Sequence, residues 1–289
     1  MKRRLHHADT WNKKDGFYLM KFYEKFTTRS NELKSLLCLG LDPEWEKLPV
    51  SVKSSDKPLF TFCKEIVDAT QDRVVSYKPN IAFFERFGYK GIEQFENLVE
   101  HITSKYPQVS IVADVKRGDL ANTAKEYAKY YFGDLKVDTV TLSPYMGSDS
   151  IEPFLEYKDH AVFLLCLTSN PASKDLQKIK TSNGKNFYEE VANFSKSLNV
   201  KYKDQVGLVV GATHPEELSQ IRNAFPELAF LIPGYGAQGG NLSELMKVCA
   251  RNSLINSSRS IIFNSSGSDF AVKAREKVVE INREMKELF

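Results

Sequence analysis

The segment ADVKRGD carries an aspartate, a lysine two residues on and a second aspartate three further: Asp114, Lys116 and Asp119. A second lysine, Lys78, lies at the end of the run RVVSYKP, with Asn80 beside it, and Asp42 closes the run LLCLGLD. Side chains two apart on a strand share a face, so Asp114 and Lys116 point the same way. Two lysines and two aspartates form an alternating array in which flanking carboxylates keep each ammonium protonated. A protonated lysine held against carbon is a general acid and a cation for a developing carbanion. An aspartate beside it repels an anionic substrate group and is relieved as that group leaves. The combination suits loss of CO₂ from a substrate that has no electron sink. Two other readings stay open here: Asp119 as a helix N-cap, and Asp114 with Lys116 as a structural ion pair.

A second stretch, LIPGYGAQGG, spaces its glycines as Gly234-x-Gly236-x-x-Gly239. That is the spacing of a dinucleotide fingerprint, which normally opens a βαβ unit and has an acid about 20 residues later. Here Arg259 stands at that distance, and the loop follows the seventh of eight strand-like runs. Too few strands remain for a dinucleotide-binding half. The glycines then let backbone approach a single phosphate.

The elements that must position these residues are short apolar runs. They are 36–42, 73–79, 108–116, 137–144, 161–169, 205–213, 228–234 and 260–267. Most are β-branched and apolar throughout, as strands buried on both faces are. Segments of helical periodicity separate them; one places Leu120, Ala124, Tyr127 and Tyr131 on a common face. Eight alternating units predict a closed (β/α)₈ TIM barrel in a single domain, preferred to an open doubly wound sheet. Residues 31–289 form the barrel in this reading, and residues 1–30 an N-terminal helical or extended segment packed on it. Barrel active sites lie at the C-terminal strand ends, where Asp42, Lys78, Asn80, Asp114 and Lys116 fall. The polar stretch 170–187 after the fifth run is a lid or a plain insertion.

The 289 residues hold 40 basic and 37 acidic side chains, mixed along the chain. That balance argues against a nucleic-acid partner. Cys38, Cys63, Cys166 and Cys249 form no C-x-x-C pair and read as reduced core residues of a cytoplasmic protein. No apolar stretch approaches the roughly 18 residues that span a membrane.

Taken together, ADVKRGDLANTAKEY, YKPNIAFFE, TLSPYMG and IPGYGAQGG resemble the orotidine 5′-phosphate decarboxylase family over roughly residues 30 to 280. The wording KPNIAFFE is similar to its long-loop branch. The resemblance implies cofactor-free, metal-free decarboxylation of orotidine 5′-phosphate (OMP) to UMP, with Lys116 as proton donor to C6 of the pyrimidine. Asp114 and Lys78 match the rest of the charge array, and Asp119 its last member, which reaches into the partner subunit's site. Leu120, where the family usually has isoleucine, and Thr123 match neighbours crossing that interface. Asp42 and Asn80 match ribose contacts, and Ser169, or Thr168 instead, a contact to the ring. Pro233, Gln238, Gly239, Ser258 and Arg259 match the phosphate and lid contacts; the family often has glycine where Ser258 stands. A homodimer with shared active sites is implied, and a separate orotate phosphoribosyltransferase as a further partner, since 289 residues leave no room for a fused one. A Mg²⁺-dependent sugar-phosphate lyase of the hexulose-phosphate synthase type shares the Asp-x-Lys-x-x-Asp block and is the rival reading. A catalytically silent phosphate-binding barrel is a more distant one.

Overall fold

The computed structural model describes residues 22–213, 215–235, 241–249 and 252–289, and the backbone of 13–14 and 17–18. Eight parallel strands close into a barrel: β1 (Leu37–Leu41), β2 (Ser76–Pro79), β3 (Ser110–Arg117), β4 (Thr139–Leu142), β5 (Ala161–Leu167), β6 (Val206–Val210), β7 (Ala229–Pro233) and β8 (Ser253–Ser257). Each strand pairs with its sequence neighbour, and β8 returns to β1 through Asn256 opposite Cys38. This is the predicted TIM barrel.

Helices follow the strands: α2 (Pro58–Thr70), α3 (Tyr89–Lys105), α4 (Ala121–Ala128), α5 (Phe187–Lys201), α6 (Pro215–Ala224), α7 (Leu242–Val248) and α8 (Phe270–Leu288). After β4 come two 3₁₀ turns (Pro144–Met146 and Ser148–Ser150) and a four-residue helix (Glu152–Leu155). Among the described residues no helix is long and apolar enough to cross a membrane.

The alternation of side chains builds two layers. Leu37, Leu39 and Leu41 pack outward with the helices, while Cys38 joins Val112, Phe163, Val209, Leu231 and Leu254 in the barrel interior. The lower interior is therefore apolar, and the polar residues collect at the C-terminal strand ends. All four cysteines are free; Cys38, Cys63 and Cys166 are buried, and Cys249 is half-buried.

The other end of the barrel is closed by α1 (Phe22–Leu33). Its Phe22 and Phe26 rings, each 1% exposed, belong to the interior cluster, and Phe22 meets Phe163 edge to face at 5.9 Å. Arg29 donates from Nε to the Val74 carbonyl at 2.6 Å, and Lys25 pairs with Asp138 at 2.9 Å. Both partners lie just before strands, so the helix is fastened across the N-terminal mouth.

Two expectations need correction. The eighth strand is SLINS, 253–257, and not the run 260–267, whose first residues form a short helix (Arg259–Ile262). SLINS puts Asn256 and serines where apolar residues were sought, so its strand signal was weak. Arg259 accordingly follows β8 instead of preceding it. Leu120, expected on a buried helix face, is 61% exposed, because α4 begins one residue later and buries Ala124 and Ala128.

Phe26→Ala removes a ring that plugs the interior and should destabilise the fold by about 3–5 kcal/mol. Urea unfolding would read this as a lowered midpoint at unchanged slope. A loss under about 0.5 kcal/mol, the range of surface substitutions, would mean that α1 is not part of the cooperative core.

Candidate active site

Asp114 is the centre of the charged strand ends. Its Oδ2 accepts from Lys78 Nζ at 2.8 Å, and its Oδ1 accepts from Lys116 Nζ at 2.5 Å and from the Thr141 hydroxyl at 2.9 Å. Lys78 and Asp114 are 4% and 8% exposed, whereas the Lys116 side chain is half exposed. Burial alone favours the neutral amine of Lys78, but Asp114 and then Asp42 outweigh it and hold the group above the ordinary lysine range. Burial likewise opposes the Asp114 carboxylate, and the charges of Lys78 and Lys116 hold it ionised far below the ordinary range. The three groups form a chain of alternating sign with a net positive charge and one free end at Lys116.

The backbone is bent to achieve this. The β3–β4 pairing runs Ala113–Val140 and then Arg117–Leu142, so β3 carries two extra residues in a bulge. Within the bulge Lys116 takes a φ of 45°. The left-handed region costs a residue with a Cβ roughly 1–2 kcal/mol. Strain of this kind concentrates at functional sites.

These groups line a cavity of about 220 Å³ with Thr141, Ser169 and Pro233. Leu165, Val209 and Leu231 supply apolar lining. Two glycines near the strand ends let serines pack close to backbone. A Cβ on Gly211 would lie 2.4 Å from Ser169 Oγ, so the serine folds over bare backbone. A Cβ on Gly40 would lie 2.6 Å from Ser258 Cβ and 3.2 Å from Asn256 Oδ1. A larger hollow of about 500 Å³ lies between Trp45, Pro58, Phe87 and Tyr89 on the outer face; none of the strand-end charges lines it.

Other predicted residues are distributed around the mouth. Asp42 follows β1, and its Oδ1 is buried with no hydrogen-bond partner among the described residues. Asn80 touches Asp114 through a backbone bridge, but its Oδ1 accepts from the Ala82 amide at 3.1 Å, just ahead of the short helix there. Thr168 and Ser169 both border the cavity. The Thr168 amide donates to Gln177 Oε1 at 2.8 Å, which ties the 170–187 stretch to the end of β5. Ser258 donates to the Gly40 carbonyl at 3.1 Å, and Arg259 is exposed at the start of its helix with no ion pair to a described residue. Gln238 and Gly239 lie outside the described residues.

Asp119, Leu120 and Thr123 are not brought into this cavity within one chain. Asp119 makes no ion pair with either lysine; its Oδ1 accepts from the Leu120 amide at 2.7 Å. It does not cap α4 either, since the N-cap position is Leu120 and no side chain caps there. Two residues at the site escaped the sequence reading. Thr141 sits in the quoted TLSP stretch, and nothing in that stretch marks its hydroxyl. Asn256, 7% exposed with Oδ1 unpartnered, lies on the misplaced eighth strand. Both are polar residues on short strands with inward-facing alternate positions, and that alternation was the available signal.

Comparison with known proteins agrees with this geometry. A family model described as orotidine 5′-phosphate decarboxylase / HUMPS matches residues 35–272. A Leptospira interrogans protein named orotidine 5′-phosphate decarboxylase is 59% identical over 271 residues, covering 93% of this chain and 98% of its own. A Flavobacterium johnsoniae protein of the same name is 45% identical over 88% of this chain and 93% of its own. Among solved structures, Leishmania donovani OMP decarboxylase matches with a TM-score of 0.78 at 37% identity, over 92% of this chain and 99% of that one. Leishmania donovani UMP synthase matches at 0.79 and 38% identity, over 92% of this chain and 57% of that one. The chain belongs to the orotidine 5′-phosphate decarboxylase / HUMPS family.

Proposed function

We propose that the chain is a carboxy-lyase that decarboxylates OMP to UMP, the last step of de novo UMP synthesis, without a cofactor. The observation that carries this reading is the Lys78–Asp114–Lys116 chain, with its half-exposed ammonium over a small strand-end cavity. The bond from C6 to the carboxylate breaks, CO₂ leaves, and the electron pair stays on C6. Lys116 stabilises that carbanion, donates its proton to C6 and is reprotonated from water. Asp114 faces the departing carboxylate, and Lys78 keeps Asp114 charged and in place.

Remote contacts hold the nucleotide. The 5′-phosphate lies between Gln238 and Arg259, with backbone amides near Gly239 and Ser258. Binding energy from that end closes the site and desolvates the carboxylate. Asp42 and Asn80 take the ribose, and the unpartnered Asp42 Oδ1 supports this, since it has an acceptor to offer a hydroxyl. Ser169 or Thr168 contacts the ring, and Pro233 packs beside it.

The working form is a homodimer with shared sites. Asp119, Leu120 and Thr123 act across the interface, and a separate orotate phosphoribosyltransferase supplies the substrate. Exposed Leu120, Tyr145 (74%) and Met146 (41%) follow β3 and β4 at the same barrel end and support such a contact. The enzyme is cytoplasmic, has no nucleic-acid or membrane partner, and consists of a barrel, residues 31–289, with residues 1–30 as its extension. The Mg²⁺-dependent lyase reading is less well supported. Lys78 stands where a metal site would place an acid, and no group of three His, Cys, Asp or Glu side chains converges among the described residues.

Lys116→Ala should fold, because the side chain is half exposed, yet lose turnover by several orders of magnitude; loss of OMP absorbance in EDTA measures it. Near-normal turnover would overturn the assignment, and dependence of the parent on added Mg²⁺ would favour the lyase. For the shared site, inactive Asp119→Ala and Lys116→Ala proteins are unfolded together and refolded. Hybrid dimers with one complete site should restore up to about a quarter of parental activity. A mixture that stays inactive would place Asp119 in its own subunit's site.

A further inference from the structure

Thr141 lies on β4 opposite the bulge and is 1% exposed. Its Oγ1 accepts from the Val115 amide and from the Lys116 amide, each at 3.0 Å. The same hydroxyl donates to Asp114 Oδ1 at 2.9 Å. A hydroxyl has one proton to give and two lone pairs. All are used on three consecutive residues of β3, and none is left for a substrate. The Ser143 amide, donating to the Arg117 carbonyl at 2.7 Å, closes the bulge on the far side.

The two amides matter because of the bend they sit in. In a regular parallel ladder successive amides face opposite neighbours, so at most one of the two would find a β4 carbonyl; the bulge turns both toward β4, where the register shift takes the backbone partners away. A side-chain oxygen replaces them, and the backbone at Lys116 is then free to take its φ of 45°. That conformation decides where the lysine stem leaves the strand. The third contact fixes the carboxylate oxygen on which the Lys116 ammonium rests. Threonine suits the post, since its branched Cβ limits χ1 and the packed interior holds the methyl.

We propose that Thr141 is a positioning residue for the decarboxylation: its hydroxyl templates the left-handed bend at Lys116 and orients Asp114, so that the proton donor is delivered to one place over the substrate carbon. This rests on the reading of Lys116 as proton donor. Thr141 touches no reacting atom and acts through the residues it holds. Misplacement of a donor by about 1 Å can cost about 100-fold in rate, while binding through a remote phosphate is unaffected.

The test compares Thr141→Val, which keeps shape and loses the hydroxyl, with Thr141→Ser, which keeps the hydroxyl, and with Lys116→Ala. Steady-state kinetics on OMP and a UMP binding titration are run on each, at a temperature where melting curves show it folded. Thr141→Val should lose about 100-fold in kcat with KM and UMP affinity within a few-fold of the parent. Thr141→Ser should recover to within about 10-fold. Should the valine variant not fold, Thr141→Ala, with space for a water at the two amides, replaces it in the same comparison. Parental kcat without the hydroxyl, or a serine variant as slow as the valine one, overturns the proposal. So does equal loss of UMP affinity and kcat, which marks a general loosening. A Lys116→Ala protein that keeps turnover would instead overturn the underlying functional reading, whatever the Thr141 variants do.

Discussion

One carboxylate organises the molecule's functional end. Asp114 sits 8% exposed between two ammonium groups and a hydroxyl, and both of its carboxylate oxygens are engaged by them. Such a group is stable in a barrel interior only in company. Taking away one partner of a buried ion pair typically costs about 3–5 kcal/mol, because the other charge is stranded. Lys78, at 4% exposed, is the charge that would be stranded here. The requirement propagates outward. β2 and β3 must be adjacent, their inward residues must reach the same height, and β4 must bring a hydroxyl to the same point. The closed sheet satisfies all three at once.

The barrel divides its interior by height. Below the charges, Cys38, Val112, Phe163, Val209, Leu231 and Leu254 pack against one another. Above them, Gly40 and Gly211 carry no side chain, and Ser258 and Ser169 occupy the space this leaves. Apolar packing under a polar rim keeps water from approaching the array from beneath. It also lowers the effective dielectric around Asp114, which strengthens its attraction for both lysines.

Much of this was legible from residue order. Apolar β-branched runs separated by helical periods specify the barrel, and the two-residue spacing of Asp114 and Lys116 places both on one side of a strand. Reading failed where a strand's inward face is polar. SLINS does not look like a buried strand, because Asn256 faces the mouth, Ser253 accepts from Arg222 and Ser257 hydrogen-bonds Ser260, so the apolar start of SIIFNSSG is the stronger strand signal. Leu120 failed for a different reason. Helical periodicity assumes that the helix has begun, and here the residue stands just ahead of α4, outside the packed face. The bulge was illegible altogether. Nothing in ADVKR announces two extra residues or a left-handed lysine, since both arise from how β3 and β4 pair. Thr141 has meaning only once that mismatch exists.

The helix across the N-terminal mouth bears on traffic. Phe22 and Phe26 fill the barrel's lower opening, and Arg29 and Lys25 fasten the helix to the residues that precede β2 and β4. Among the described residues the interior is thus closed at its N-terminal end and open at the C-terminal strand ends. In the proposed reaction a gas molecule released beside Asp114 meets packed side chains beneath it and must leave through the mouth where the nucleotide is held, or wait for it to go. Departure of the small product and opening of the nucleotide's grip therefore share one passage, and whatever controls that doorway controls both.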